Sequence, residues 1–308
     1  MIYNSVHKIC RRRRTKRNIK LYSVNNIFLS PVRVMRAGLF VVKAAGVWYN
    51  GRMIKLTPLF SGSKGNSTLI TSGGARVLLD AGYGFKATVA KLGELGVRPQ
   101  DVSAIVVTHE HGDHVAALPI WTRHFRTPVY MPAASAQYLR TKCCCADIRE
   151  VTQDFELCDM HVDVFCCSHD ARACLGYRFS DKNQSVASVT DTGVATMRLV
   201  HFLQPCTSIM LESNHDGEML QKGNYPYLLK KRIASDTGHL SNEQAAKILQ
   251  RLLGSSVRNV VLAHLSQQNN TPRLAYDCAA QMYEQNGVQV GKDVYLYVAD
   301  QFRNEVTI

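Results

Sequence analysis

Three histidines and one aspartate fall within six residues of this chain, in the motif His109-Glu110-His111-Gly112-Asp113-His114. The motif follows an apolar run over residues 103–107 that is typical of a buried β-strand. Imidazoles and carboxylates are ligands of zinc, manganese and iron, and a strand that ends in this pattern delivers several of them to one point. The sequence therefore predicts a divalent metal site at a sheet edge, because a polar surface loop does not explain so many ligands together.

The positive charge of the chain is confined to its first 52 residues. The 308 residues carry a formal net charge of +13, from 37 Lys and Arg against 24 Asp and Glu. Residues 1–52 hold 12 of the basic residues and none of the acidic ones, so residues 53–308 are close to neutral. Domains that bind nucleic acid usually carry a large net positive charge, and residues 53–308 do not.

The N-terminal segment, residues 1–52, contains a basic run at residues 11–17 and has three open interpretations. It is a disordered tail that contacts nucleic acid or membrane, an organellar presequence, or extra sequence upstream of a start at Met53. We favour the last interpretation, because the pattern of strands begins directly after Met53. We therefore expect a disordered basic extension over residues 1–52 and one folded domain over residues 53–308.

Neither a membrane span nor a secretory signal is predicted. The apolar stretch over residues 27–42 is interrupted by Arg33 and Arg36, and it is too short and too charged to cross a bilayer. The ten cysteines include adjacent runs at 143–145 and 166–167 and no Cys-x-x-C pair. This layout favours a reduced compartment over a disulfide framework, so we expect a cytoplasmic protein.

Strands and helices are interspersed along residues 53–308, separated by turn-type residues. Helices are predicted over residues 85–95, 133–140, 242–253 and 272–284, with Ser241 as the N-cap of the third. Strands are predicted over residues 54–60, 67–71, 76–79, 103–107, 128–131, 161–167, 174–179, 185–190, 207–211, 257–263 and 294–298. Their order indicates an α/β fold with two sheets between layers of helices.

Four further acidic or histidine residues come just after predicted strands, namely Asp80, His169, Asp191 and His264. Loops beyond the ends of strands are where α/β folds assemble their functional sites. We therefore expect these side chains to meet the motif at residues 109–114.

These residues, in this order, make the chain resemble the metallo-β-lactamase fold superfamily over nearly all of residues 53–308. Within it, the chain is most similar to the YycJ/WalJ-type branch of exonuclease-like proteins. The segments that carry the likeness are Ser-Gly-Ser-Lys-Gly-Asn-Ser at 61–67, Glu-Ser-Asn-His-Asp at 212–216, Gly-His-Leu-Ser-Asn-Glu at 238–243 and His-Leu-Ser at 264–266. The resemblance implies a four-layer αβ/βα sandwich, in which two mixed β-sheets flanked by helices carry a two-metal site along one edge.

The resemblance also implies roles for the metal ligands. One ion would be held by His109, His111 and His169, the second by Asp113, His114 and His264, with Asp191 bridging both. Asp80 is expected to orient the motif histidines through a hydrogen bond, and to belong with Asp113 and His239 to the catalytic set. Two ions of zinc, manganese or iron, about 3.5–4 Å apart, would share a hydroxide that is acidic enough to form at neutral pH.

His239 and a Gly-rich loop are predicted to contact the substrate. His239 precedes a predicted helix, in a segment similar to the place where phosphodiesterases of this fold carry a catalytic histidine. It acts either as the general acid for the leaving group or as a phosphate contact, unless it only supports the cap at Ser241. Weaker predictions of a substrate contact are Ser63, Lys64, Asn66 and His215.

The leading hypothesis is a dinuclear metal-dependent phosphodiesterase, most simply a nuclease that acts on DNA ends. The DNA substrate rests on the resemblance, not on the charge of the body. His111 stands where flavodiiron-type oxidoreductases of this fold carry glutamate, so hydrolysis is favoured over redox chemistry. Two alternatives stay open: hydrolysis of a small ester, thioester or cyclic phosphodiester, and a non-catalytic metal-binding regulator, which would be expected to have lost some of the ligands.

Overall fold

The structure, a computed structural model, describes residues 43–44, 47–48, 53–143, 146–302 and 306–308. The chain divides into two units, residues 1–50 and residues 51–308. In the first unit, β1 (Lys43–Ala44) and β2 (Val47–Trp48) pair antiparallel. Apart from these two strands, the predicted disordered extension lies outside the described residues, and both it and the proposed start at Met53 stay predictions.

The first sheet of the second unit has six strands. They are β3 (Lys55–Phe60), β4 (Ser67–Ser72), β5 (Ala75–Leu79), β6 (Ala104–Val106), β7 (Val129–Pro132) and β8 (Ile148–Val151). They lie side by side in sequence order, antiparallel from β3 to β5 and parallel from β5 to β8. Because β5 and β6 are parallel neighbours, the loops that follow them leave the sheet at the same edge.

The second sheet has seven strands. They are β9 (Phe155–Leu157), β10 (Met160–Cys166), β11 (Leu175–Ser180), β12 (Ser185–Val189), β13 (Ser208–Glu212), β14 (Asn259–Ala263) and β15 (Tyr295–Val298). The spatial order also follows the sequence, antiparallel from β9 to β12 and parallel from β12 to β15. The parallel part places the ends of β12, β13 and β14 next to one another.

Nine helices and one 3₁₀ helix (Pro99–Asp101) are present among the described residues. The helices are α1 (Phe85–Glu94), α2 (Gly112–Val115), α3 (Leu118–His124), α4 (Ala133–Arg140), α5 (Met197–Leu203), α6 (Gly217–Lys222), α7 (Tyr227–Ile233), α8 (Asn242–Arg251) and α9 (Pro272–Gln285). Ser241 caps α8 in a reciprocal capping box with Gln244, so the predicted N-cap is confirmed.

In the part of the chain that the structure describes, no helix combines the length and the apolar character that crossing a bilayer requires.

Three apolar cores hold the layers together. One lies between the two sheets, one between the first sheet and α1, α3 and α4, and one between the second sheet and α5, α8 and α9. Successive side chains of a strand point to opposite faces, so one strand contributes to two cores. In β14, Val260 and Leu262 belong to the core beside the helices, whereas Val261 and Ala263 belong to the core between the sheets. The predicted four-layer sandwich is confirmed.

The predicted helices and strands are all present, with small shifts at their ends. For example, β14 begins at Asn259 rather than at residue 257, and α8 ends at Arg251 rather than at residue 253. The sequence patterns did not reveal α2, α3, α5, α6 and α7, nor β8 and β9. These helices have seven residues or fewer, which is too short for a helical period to stand out.

Candidate metal centre

The predicted ligands converge at one edge of the two sheets, just past the ends of strands. The first sheet contributes Asp80 after β5 and the motif at residues 109–114 after β6. The second sheet contributes His169 after β10, Asp191 after β12 and His264 after β14. Residues nearly two hundred positions apart in sequence therefore share one site because parallel strands end at the same sheet edge.

The backbone turns sharply at three of these residues. Asp80, Asp191 and His264 have φ values of 61°, 59° and 59°, in the left-handed region that non-glycine residues rarely adopt. Such a conformation costs about 1–3 kcal/mol and persists only where the surrounding structure enforces it. Here the backbone N–H of Asp80 donates to Val106 O and that of His264 to Ser61 Oγ, each at 2.8 Å. The strain supports a functional role for these turns.

The first group of ligand atoms consists of the nitrogens of His109, His111 and His169, which lie within 4.8 Å of one another. The Nδ1 of His109 lies 3.0 Å from Thr108 Oγ1, and its buried Nε2 has no hydrogen-bond partner among the described residues. The Nδ1 of His169 donates to Gly238 O at 3.2 Å. Burial lowers the pKa of both His109 and His169, which favours the neutral form that binds metal.

The second group consists of Asp113, His114 and His264, again with ligand atoms within 4.8 Å of one another. A buried carboxylate holds the Nδ1 of each ring: Asp80 Oδ2 lies 2.8 Å from His114 Nδ1, and Glu212 Oε1 lies 2.9 Å from His264 Nδ1. The Nε2 of His114 lies 3.1 Å from Asn66 Nδ2, and that of His264 is buried without a partner in the described structure. Such carboxylates fix the ring orientation of metal-binding histidines.

Asp191 lies between the two groups. Its Oδ1 is 3.7 Å from His169 Nε2, and its Oδ2 is 3.3 Å from His114 Nε2. The Oδ2 atom is buried and makes no hydrogen bond among the described residues. Buried polar atoms without partners are costly, and here several of them face one another. The residues present therefore fit divalent metal ions, which would satisfy all of these atoms together.

The charges of the centre also favour cations. Burial opposes ionisation of Asp113 and Asp191, yet the surrounding imidazoles bring the pKa of both carboxyl groups well below the ordinary range. Burial likewise opposes protonation of His264, but the charge of Asp191, the nearby carboxylate of Asp113 and the hydrogen bond with Glu212 raise its pKa to about 10. The carboxylates therefore favour cationic neighbours, and a bound divalent metal would meet the same preference.

Asp80 lies behind the motif, where the sequence predicted it. Its Oδ1 accepts the backbone N–H of Thr108 at 2.8 Å, and the Thr108 hydroxyl donates to both of its carboxylate oxygens. Burial raises the pKa of Asp80, although the contact with His114 acts in the opposite direction. Thr108 was not singled out from the sequence. Its hydroxyl also contacts His109, so Thr108 connects Asp80 to both groups of ligands.

Glu212 is the main residue that the sequence analysis missed. It is fully buried at the end of β13, and its Oε1 lies 2.9 Å from the Nδ1 atoms of both His239 and His264. Its Oε2 accepts the backbone N–H groups of Thr192 and Leu240. Burial raises its pKa, but His239 and His264 outweigh that effect and lower it to about 2. The signal was available, because Glu212 ends a strand just as the other site residues follow theirs.

A cavity of about 250 Å³ opens over the cluster. Ser63 and His239, two of the predicted substrate contacts, line it together with ligands from both groups. His239 faces the cavity while Glu212 holds its Nδ1. Burial opposes protonation of His239, but Glu212 and Asp191 raise its pKa above the ordinary value.

The other three predicted substrate contacts lie outside the described lining of the cavity. Asn66 packs against the ligands instead, with its Nδ2 3.1 Å from His114 Nε2 and 3.3 Å from Asp113 Oδ2. Lys64 is exposed, and His215 is buried, where burial lowers its pKa. Substrate contact by these residues stays a prediction.

The loop after β5 packs directly on the motif loop through Gly82. A Cβ atom on Gly82 would lie 1.6 Å from the backbone oxygen of Asp113, a distance that no side chain can accommodate. Ala81 N of the same loop donates to His114 O at 2.9 Å, and Asn66 N, from the loop between β3 and β4, donates to Asp113 O at 2.8 Å. The glycine therefore permits the close approach that sets the position of the motif.

A beta-lactamase superfamily domain matches residues 75–265, a range that contains all seven predicted ligands. This chain belongs to the metallo-β-lactamase superfamily. Exodeoxyribonuclease WalJ of Streptococcus pneumoniae serotype 2 is 34% identical over 250 residues, which cover 79% of this chain and 93% of WalJ. Exodeoxyribonuclease YycJ of Bacillus anthracis is 35% identical over 252 residues, which cover 79% of this chain and 94% of YycJ.

Solved structures of the superfamily share the fold. The metallo-β-lactamase fold protein YhfI of Bacillus subtilis aligns with a TM-score of 0.64 at 16% identity, over 83% of this chain and 98% of YhfI. The predicted similarity to the YycJ/WalJ-type branch is confirmed, and so is the prediction that this member of the metallo-β-lactamase superfamily is a metal-dependent hydrolase. Its fold and its clusters of His and Asp imply binding of divalent metal.

Proposed function

We propose that this chain is a dinuclear metal-dependent phosphodiesterase that shortens DNA from its ends. The relatives that span most of the chain are named exodeoxyribonucleases, which supports the DNA substrate. The observation that carries the dinuclear assignment is the pair of ligand groups that meet at Asp191. The predicted cytoplasmic location stays a prediction.

Seven side chains are assigned to the metals. His109, His111 and His169 would hold one ion, Asp113, His114 and His264 would hold the other, and Asp191 would serve both. Zinc, manganese and iron all suit this mixture of imidazole and carboxylate. When bound, the two ions supply a nucleophile that exists at neutral pH and neutralise the charge that develops on the phosphate. Asp80 and Glu212 keep one ring nitrogen of His114 and His264 engaged, so that the other faces the metal.

His239 is assigned the proton transfer to the leaving oxygen. Glu212 holds its Nδ1 at 2.9 Å, and the ring lines the cavity beside His169 and His264, with ring centroids 5.1 and 5.3 Å away. The Nε2 atom therefore has a fixed position at the cavity wall. A general acid must be held within hydrogen-bond reach of the departing group, and this ring is positioned for that role.

Incubation of the full chain with Mn²⁺ tests the proposal. End-labelled single-stranded and duplex DNA are offered beside a generic aryl phosphodiester, with a chelator-treated sample as the control. Stepwise shortening of DNA that stops with the chelator is the expected result. Turnover of the aryl diester alone would overturn the DNA assignment and favour a small-molecule hydrolase. No turnover of either substrate, with metal bound, would overturn the enzymatic role.

A further inference from the structure

One wall of the cavity is formed by a segment that the metal chemistry does not use. This segment, residues 225–233, comprises Tyr225, Pro226 and the helix α7, and we call it the rim segment. Tyr225, Leu229, Arg232 and Ile233 line the cavity together with the ligands. None of the α7 residues is buried, so packing alone does not explain why this helix lies at the mouth of the site.

Arg232 is the one Arg or Lys among the described residues that line the cavity. Its Nε donates to Asp170 Oδ2 at 2.5 Å, and Asp170 directly follows the ligand His169. The two terminal nitrogens of the guanidinium donate no hydrogen bond within the described structure, and the side chain is 58% exposed. Asp170 therefore fixes the guanidinium while its terminal N–H groups remain free, which is the arrangement that binds a phosphate with two hydrogen bonds.

The size of the cavity limits what enters it. About 250 Å³ lies below the range of roughly 300–1,000 Å³ typical of pockets that enclose a whole small ligand. The cleaved phosphate and part of one nucleotide fit, and the rest of a strand must cross the wall of the cavity. Arg232 lies on that wall.

The outer face of α7 carries unusually exposed apolar surface. Tyr227 and Leu228 are 76% and 77% exposed, the highest values among the large apolar residues of the described chain. Lys231, one turn after Tyr227, is also exposed, and Lys230 and Arg232 flank it. Aromatic side chains beside cationic ones are the features with which proteins bind single strands, because bases stack on the rings and phosphates pair with the cations.

We propose that the rim segment holds the DNA strand beside the cleaved bond, with Arg232 contacting the neighbouring phosphate and Tyr227 stacking against a base. The inference rests on the proposed exonuclease function and adds a strand-positioning surface to it. The rim segment would thereby supply the basic charge that DNA binding needs, although residues 53–308 as a whole are close to neutral.

Steady-state kinetics of Arg232→Gln test the role of the arginine, with single-stranded DNA and an aryl phosphodiester as parallel substrates. We expect KM for DNA to rise about tenfold, because one charge-assisted phosphate contact is lost. The dependence of log(1/KM) on log salt should become shallower by about 0.7, the value of one phosphate on a single strand. Turnover of the aryl diester, which has no neighbouring phosphate, should not change. Arg273→Gln, in an arginine of α9 that is 90% exposed, is the matched control and should behave as wild type.

Tyr227→Ala is the second variant, because its side chain is too exposed for the change to disturb the fold. It should raise KM for DNA about tenfold through lost stacking and leave the aryl diester unaffected. Wild-type KM and salt dependence in both variants, in an enzyme that does shorten DNA, would overturn the inference. Equal losses on both substrates in Arg232→Gln would also overturn it, because the arginine would then act through the metal centre. If the wild-type chain does not shorten DNA at all, the proposed function itself has failed.

Discussion

The two sheets bring their ligands to the metal centre in different ways. The first sheet delivers four ligands in one short segment after β6 that runs into α2, supported by Asp80 from the end of the neighbouring strand. The second sheet delivers His169, Asp191 and His264 singly, from the ends of three strands, and Glu212 from a fourth. A contiguous loop can carry its ligands as a unit, whereas scattered ligands depend on the register of the whole sheet. The second sheet should therefore be the more sensitive half of the site.

Asp191→Ala should have the largest effect, because Asp191 is the residue of the second sheet that meets both ligand groups. We expect nuclease activity to fall to background and the metal content of the purified protein to drop. Metal analysis and the DNA assay measure the two effects, with Asp277→Ala, on the exposed face of α9, as the control. Full activity in Asp191→Ala would refute the assignment of Asp191 to both ions.

His239→Ala should lower kcat by about 10²–10⁴-fold with metal retained, because a general acid is lost and no ligand is. His201→Ala, at an exposed histidine of α5, is the matched control. Loss of metal along with activity would mean that His239 is a ligand, and the second sheet would then supply four of them.

Asp80→Asn and Glu212→Gln compare the supporting carboxylates of the two sheets. Each should weaken metal affinity or activity by about 10–100-fold, the usual cost of removing a partner of a metal-binding histidine. Glu212 holds His239 as well as His264, so only Glu212→Gln should also lower kcat at saturating metal. Chelator competition gives the affinities, and equal kcat values in the two variants would contradict the difference between the sheets.

Gly82→Ala tests how firmly the motif loop of the first sheet is held. The new methyl group would collide with Asp113 O, so unfolding should become easier by about 1–3 kcal/mol, seen as a lower thermal midpoint. Gly84→Ala is the control two residues away, because nothing lies within 4 Å of its Cβ position. Equal midpoints in the two variants would show that the close approach is not required.

Deletion of residues 1–52 should have the smallest effect. We propose that neither sheet depends on this basic segment, so the thermal midpoint and the activity should stay as in the full chain. A clear loss of either would show that the segment supports the domain and would count against a start at Met53.

The sequence was most informative where chemistry is local. The six residues of the motif at 109–114 predict a metal site by themselves, and the residues that follow Ser241 predict that it caps a helix. Asp80, His169, Asp191 and His264 were found by a rule about strand ends, which needs only correct strands. Glu212 obeys the same rule, but its role depends on β13 lying between β12 and β14, an order that no local pattern reveals. The short helix α7 was missed because one or two turns show no period.

The number of ions per chain tests most directly whether the two sheets jointly build a dinuclear centre. Crystals of the full chain grown with Mn²⁺ and measured at the manganese absorption edge would place each ion by its anomalous scattering. We predict two sites, one beside His109, His111 and His169 and one beside Asp113, His114 and His264, with Asp191 between them. A single ion, or ions that leave Asp191 and His264 without metal, would contradict the proposed convergence.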